Sequence, residues 1–171
     1  MKKLFLSFIA LLSIALFSAC ESKDGVSAKA AGTYMTHRTT NMVGLPPQIP
    51  FTPVEDNVTV KIKAISDTHV SLTIPTMSYV FGGQNMVIPD FTISNIPVLD
   101  AGEEGVIIAN HNFSEDVNGK KVTGILKAEI ELDGDLDMEV EVTSERGDVV
   151  GYNILFGSAP DKLYHSWMIF G

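Results

Sequence analysis

The sequence predicts an all-β domain of about eight antiparallel strands, built as a barrel or a sandwich. Three observations predict it. Apolar and polar residues alternate with period two over most of the chain from Gly32 onward. Turn residues break that alternation at short, even intervals. No long stretch carries an apolar stripe at helical spacing.

The first expected strand covers residues 33–42. In the next, Val58, Val60, Ile62 and Ala64 alternate with Thr59, Lys61 and Lys63. Val70, Leu72 and Ile74 then alternate with Ser71 and Thr73, and Asp67-Thr68 makes the pair a hairpin. Residues 86–94 read as one strand, with Pro89 imposing an edge or a bulge because it has no N–H for a ladder. A further strand covers residues 106–110. Val122, Gly124, Leu126, Ala128, Ile130 and Leu132 alternate with Thr123, Lys127, Glu129 and Glu131. Leu136, Met138, Val140 and Val142 alternate with Asp137, Glu139 and Glu141. Asp133-Gly134 between them is a strong signal for a two-residue hairpin turn. Residues 149–156 follow the turn Arg146-Gly147-Asp148. Eight strands enclose a space that side chains fill, or that holds one small ligand.

Residues 43–53 break the pattern. Pro46, Pro47, Pro50 and Pro53 stand among Leu45, Ile49 and Phe51. Proline fixes φ and removes ladder donors, so this is a stiff, extended loop. Its apolar side chains suit either a lid over a barrel mouth, with Leu45, Ile49 and Phe51 as ligand-binding candidates, or plain packing on the barrel wall.

The N-terminus carries an address. Met1-Lys2-Lys3 precedes an apolar run from Leu4 to Phe17, then Ser18, Ala19 and the single cysteine, Cys20. A basic head, a short apolar run and small residues before a cut are the plan of a secretory leader. The run is too short to span a bilayer, which takes roughly 20 residues. Phe17-Ser18-Ala19-Cys20 resembles the lipobox of bacterial lipoproteins, with Phe17 in place of the usual aliphatic residue. That resemblance implies cleavage before Cys20 and lipidation of its sulfur. Acyl chains then anchor the protein to a membrane without spanning it. Residues 1–19 are thus expected as a leader, 20–30 as lipidated cysteine and flexible tether, 31–157 as the β domain and 158–171 as an extension. The expected location is the cell envelope, on the outer membrane at its periplasmic face or at the cell surface. Glu21-Ser22-Lys23-Asp24 resembles the charged tether of surface-exported lipoproteins; it also reads as a solvated linker.

The formal charge is −9, and losing Lys2 and Lys3 with the leader makes it −11. Such a chain is a poor partner for nucleic acid, which needs clustered Lys and Arg. With one cysteine, no disulfide forms within the chain.

Ala31-Gly32-Thr33-Tyr34 opening the first strand, Met86-Val87-Ile88-Pro89-Asp90-Phe91-Thr92-Ile93 leading to Asn95-Ile96-Pro97-Val98, and the acidic hairpin half ending at Phe156-Gly157 together resemble the calycin-like domain of secreted Gram-negative lipoproteins. The resemblance covers roughly residues 31–157. It implies an eight-stranded up-and-down barrel, distantly similar to lipocalins, and supplies no ligand residues. The tail, with Tyr164, His165, Trp167, Met168 and Phe170, runs past where such a domain closes.

No catalytic constellation is present, and no enzyme is expected. His37, His69, His111 and His165 show no metal-ligand spacing, and no metal or cofactor is expected. Glu129, Glu131, Asp133, Asp135, Asp137, Glu139 and Glu141 crowd one hairpin. A Ca²⁺ ion would relieve their repulsion, but a solvated outer face that discourages edge pairing accounts for them. The function expected is therefore a lipid-anchored barrel holding a small apolar ligand, with Met77, Met86 and Met138 supplying soft interior surface. The alternative is a filled barrel that contacts another envelope protein.

Overall fold

In the first strand, β1 (Gly32–Val43), the even-numbered residues Tyr34, Thr36, Arg38 and Thr40 are buried and their neighbours are not, which sets the inside and outside of the whole wall. The computed structural model describes residues 25–46, 48–49, 51–143 and 151–157. A short helix α1 (Val26–Ala30) precedes β1 (Gly32–Val43), β2 (Val54–Ser66), β3 (His69–Ile74), β4 (Met77–Phe81), β5 (Gln84–Ile88) and β6 (Phe91–Pro97). Then follow β7 (Leu99–Asp100), β8 (Val106–Val117), β9 (Lys120–Ile130), β10 (Leu136–Thr143) and β11 (Gly151–Gly157).

The main sheet runs β6-β3-β2-β1-β11-β10-β9-β8-β7, all antiparallel, while β4 pairs only with β5. β7 has two residues, so eight longer strands make the wall. The expected all-β, up-and-down barrel of about eight strands is the fold observed. β1 joins β11 from His37↔Gly157 to Val43↔Gly151, tying the two ends of the domain together. Val60, Leu72, Ile93, Leu126, Met138 and Phe156 fill the interior.

Side chains rather than a ladder bridge the seam between β6 and β8. The Ser94 N–H donates to Glu115 Oε1 at 2.9 Å. Phe91 and Phe113 meet with ring centroids 6.2 Å apart. Phe113 fits because Gly124, its partner across the ladder, has no side chain. A Cβ there would lie 2.7 Å from the Phe113 ring and 1.9 Å from the Glu141 carbonyl oxygen.

Two irregularities shape the seam. Asn95, at φ 57°, interrupts the alternation of β6, so Ile93 and Ile96 are both buried. β8 shifts register between Ile108 and His111, which sets His111 on the interior face opposite Leu126. Partial burial holds the His111 pKa below its ordinary 6.5; Glu115 opposes that shift and His69 adds to it. Below pH 6.5 the unfolded chain then takes up the proton more readily than the folded one. Stability that is present above that pH is expected to fall as the pH drops through the folded value. His111→Gln should flatten this part of a urea-stability profile against pH.

The structure differs from the sequence reading at several elements. Residues 26–30, expected within a flexible tether, form α1 and close one end of the barrel. The Ser27 N–H donates to the Asp67 carbonyl at 3.1 Å. The Ser27 hydroxyl donates to the Ser66 carbonyl, and the Tyr34 hydroxyl to the Ala30 carbonyl at 2.8 Å. Lys29 pairs with Asp100 at 2.9 Å. Small Ser27 and Ala30 can enter the barrel end because both are buried with their polar groups satisfied. The single strand expected over residues 86–94 is two strands, divided at Pro89-Asp90, with β5 outside the main sheet. β8 runs on to Val117, past the expected end at Asn110. The Asp133-Gly134 turn is a longer loop, closed by Glu131 N–H to the Asp135 carbonyl and Gly134 N–H to the Glu131 carbonyl. Gly134 adopts φ 101°, the left-handed corner of a three-residue hairpin loop. That geometry puts Leu132, expected inward, on the loop at 58% exposure. The leader, Cys20 and the tail beyond Gly157 lie outside the described residues.

Candidate functional site

The end of the barrel opposite α1 carries the site. There β1 ends and β2 begins, β8 turns into β9, and β10 and β11 have their outer ends. β4 and β5 project from this rim as a hairpin between β3 and β6. Gly82 and Gly83, at φ 58° and 78°, make its two-residue turn, which suits the twist of the flanking strands.

Arg38 fixes the base of this hairpin. It is 1% exposed and stands opposite Asp56 in the β1–β2 ladder. Its Nε donates to Asp56 Oδ1 at 2.8 Å and its Nη2 to Oδ2 at 2.6 Å, a two-point fork. The remaining donors reach the Pro75 carbonyl at 2.9 Å and the Thr76 carbonyl at 3.1 Å, where the chain leaves β3. The Thr76 hydroxyl accepts the Asp90 N–H at 3.1 Å, and the Thr40 hydroxyl meets Met77 Sδ at 2.9 Å. The hairpin is thus held at its root and, among the described residues, has no ladder to the wall.

Met77 and Tyr79 on β4 and their partners Ile88 and Met86 on β5 share one face. That face overhangs a cavity of about 760 Å³. The wall side is made by Phe91, Val117, Val122, Val142, Tyr152 and Ile154, with Asn118, Lys120, Lys121 and Thr143 at the rim. Tyr79 reaches across to Tyr152, hydroxyl to hydroxyl, at 2.5 Å. Burial, then the bond to Tyr152, pushes the Tyr79 pKa well up, so its phenol stays neutral. This bond latches the hairpin over the cavity as a lid. The lining is apolar surface with a few polar groups, the usual make-up of a small-molecule site, and the volume lies within the roughly 300–1,000 Å³ of such pockets.

Of the residues singled out from sequence, Met77 and Met86 line this cavity, while Met138 is core. Leu45 is half-buried and is not among the residues lining the cavity. Phe51 packs edge-on against Tyr79 at 6.0 Å between centroids. Phe51 and Ile49 border a second, more open hollow of about 910 Å³ along the free edge of β4. Ile49 and Phe51 therefore flank the lid, and the hairpin is what covers the mouth. Sequence reading passed over Tyr79, Tyr152, Arg38 and both rim lysines. The Gly82-Gly83 dipeptide was the signal for the hairpin. Arg38 gave one too: a charge at an inward position of a strand.

The acidic hairpin presents its charges outward. Glu131, Asp133 and Asp135 bring carboxylate oxygens within 4.8 Å of one another in the β9–β10 loop. Lys127 approaches Glu139 at 3.8 Å, and Asn153 donates to Glu139 at 3.0 Å. His37 lies beside Asn57, and His69 lies beside Ser66 and Thr68 and close enough to His111 to lower its pKa.

Three comparisons bear on this architecture. The family model described as calycin-like beta-barrel domain matches residues 30–152. No curated protein matches the chain. A crystal structure from Bacteroides fragilis, described as that of a "putative outer membrane protein", superposes with a TM-score of 0.60 at 18% identity. The match covers 80% of this chain and 53% of that one, so this chain spans about half the length of its neighbour. At that identity the likeness is one of fold.

Proposed function

This chain belongs to the calycin-like β-barrel domain family, and from that premise we propose that it is a lipid-anchored, non-enzymatic envelope protein that holds a small apolar ligand. The ligand sits at the barrel mouth beneath the β4–β5 lid. One observation carries the binding: the partly open cavity of about 760 Å³ between the lid's apolar face and the wall. Burying apolar ligand surface there contributes roughly 25 cal/mol per Å². The Tyr79–Tyr152 latch gives a way in and out that leaves the wall intact.

Envelope location and anchoring are supported by Cys20 behind its short apolar leader, and by fold likeness to a protein described as belonging to the outer membrane. Cys20→Ser is expected to move the protein from the membrane pellet to the soluble fraction of lysed cells and to abolish palmitate labelling. Retention in the pellet with labelling intact would contradict the anchor.

Binding is tested on the processed chain made without lipid by Cys20→Ser. A neutral naphthylamine dye, bright only in apolar surroundings, should bind and be displaced by oleyl alcohol. No brightening and no displacement would contradict the reading.

A second reading is contact with another envelope protein. It rests on Val80 and Val87, which are exposed together on the outer face of the lid. Val80→Ser, at a position 63% exposed and outside the cavity lining, should weaken such a contact and leave dye binding unchanged.

A further inference from the structure

The charges and hydrogen bonds at the cavity are unevenly spent. Its hydroxyls are already engaged: Tyr79 with Tyr152, and Thr143 with the hydroxyl and carbonyl of Thr123. The charged residues that line it are Lys120 and Lys121, and no carboxylate lines it among the described residues. Neither lysine forms an ion pair or side-chain hydrogen bond among those residues. This occurs in a chain whose formal charge is −9.

Their positions follow from the β8–β9 hairpin. Lys120 lies opposite Val117, and Lys121 opposite Asp116. Lys120 is two residues before Val122 on the same face, so it stands one step outward from the cavity's apolar wall. Lys121 falls on the alternate face but also borders the rim. Asp116, the nearest acid in register, turns its Oδ1 to the Gly119 N–H at 2.8 Å, within the Asn118-Gly119 turn. The turn thus gives the acid a backbone partner and leaves the lysines free. Both are exposed, so their charges keep their hydration and cost little to hold there.

Resting on the apolar-cavity reading above, we propose that the ligand is a single-chain amphiphile with an anionic head group. Its tail lies between Met77 and Tyr79 of the lid and Val122 and Val142 of the wall, and its head lies against Lys120 and Lys121. A lysine ammonium offers donors and no acceptor, so this rim suits a carboxylate, sulfate or phosphate. It discriminates against an amine and is indifferent to an alcohol. The acidic bulk does not cancel the local field, since at 0.15 M salt a charge is screened beyond about 8 Å.

The test uses three ligands with one tail, oleate, oleyl alcohol and oleylamine, displacing the neutral naphthylamine dye from the lipid-free processed chain. Two exposed charge contacts give a preference of about tenfold for oleate over the alcohol, with the amine weakest. Lys120→Ala with Lys121→Ala should bring oleate to the level of the alcohol and leave the alcohol unchanged. Lys61→Ala with Lys63→Ala, on the outer face of β2, should change nothing. Higher salt should shrink the preference.

Equal binding of oleate and alcohol overturns the head-group assignment and leaves the apolar site standing. No displacement by any of the three overturns the site itself. A preference that survives removal of both rim lysines places the recognition elsewhere and overturns the assignment. Flotation with phosphatidylglycerol vesicles that is lost in the rim variant, without any oleate preference, would mean the lysines meet a membrane surface, and that too overturns it.

Discussion

Replacing Arg38 by Met is expected to destabilise the domain by about 3 kcal/mol and to lower its melting temperature by roughly 10 °C. The methionine fills most of the space but makes none of the four hydrogen bonds. Asp56 tolerates the loss, because its side chain is 42% exposed and water replaces the fork. The carbonyls of Pro75 and Thr76 bear the cost: each loses a charged donor. Arg38→Lys should recover less than half, since an ammonium on a flexible stem cannot span Asp56 and both carbonyls together. The same variants should weaken dye binding, because the root of the lid is what they release. Urea melts of the three proteins check the order. A change under about 0.5 kcal/mol for Arg38→Met, the size expected of a surface substitution, would show that the clip does not hold the lid.

Val142→Trp carries the second large effect. Val142 lines the cavity from the end of β10 and pairs with Gly124 across the ladder. An indole there takes up the space a ligand tail would use. Dye affinity should fall more than tenfold, or about 1.4 kcal/mol and beyond, with little change in melting temperature, since the added bulk enters a void and not the packed core. Met86→Trp does the same from the lid side, where Met86 is 40% exposed, and guards against a folding defect in the first variant. Undiminished dye binding in both folded variants would place the bound molecule outside this cavity.

The barrel was legible because alternation is the main signal a half-buried sheet leaves. β2, β3, β9 and β10 follow from it, and the Asp67-Thr68 turn falls where Ser66 meets His69. The failures have physical causes. From sequence Pro89 implies an edge or a bulge within one strand, whereas the chain uses Pro89-Asp90 to pass from the lid back into the wall. Two turn signals were overlooked. Gly82-Gly83 and Asn118-Gly119 both adopt the doubly positive φ of a tight hairpin, and recognising them would have revealed the lid and the full length of β8. At Asp133-Gly134 the signal was seen but its loop length was not, which misplaced Leu132. The site was largely illegible. Tyr79 and Tyr152 lie 73 residues apart and meet only because β11 closes on β1. Lys120 and Lys121 look like ordinary solvated charges until the cavity is placed behind them. Leu45, Ile49 and Phe51 stand out in the sequence as apolar residues in a loop; the structure sets Ile49 and Phe51 beside the lid and leaves Leu45 half-buried.

The most direct test of the central claim is the mass of the protein taken from its own membranes. Native mass spectrometry of the processed chain, released without harsh detergent, should show one added small molecule per protein in the wild type. That molecule should be lost on mild collisional activation and absent from Val142→Trp. A wild-type spectrum of the bare lipoprotein alone, or an adduct that persists unchanged in Val142→Trp, would contradict a ligand held at the barrel mouth.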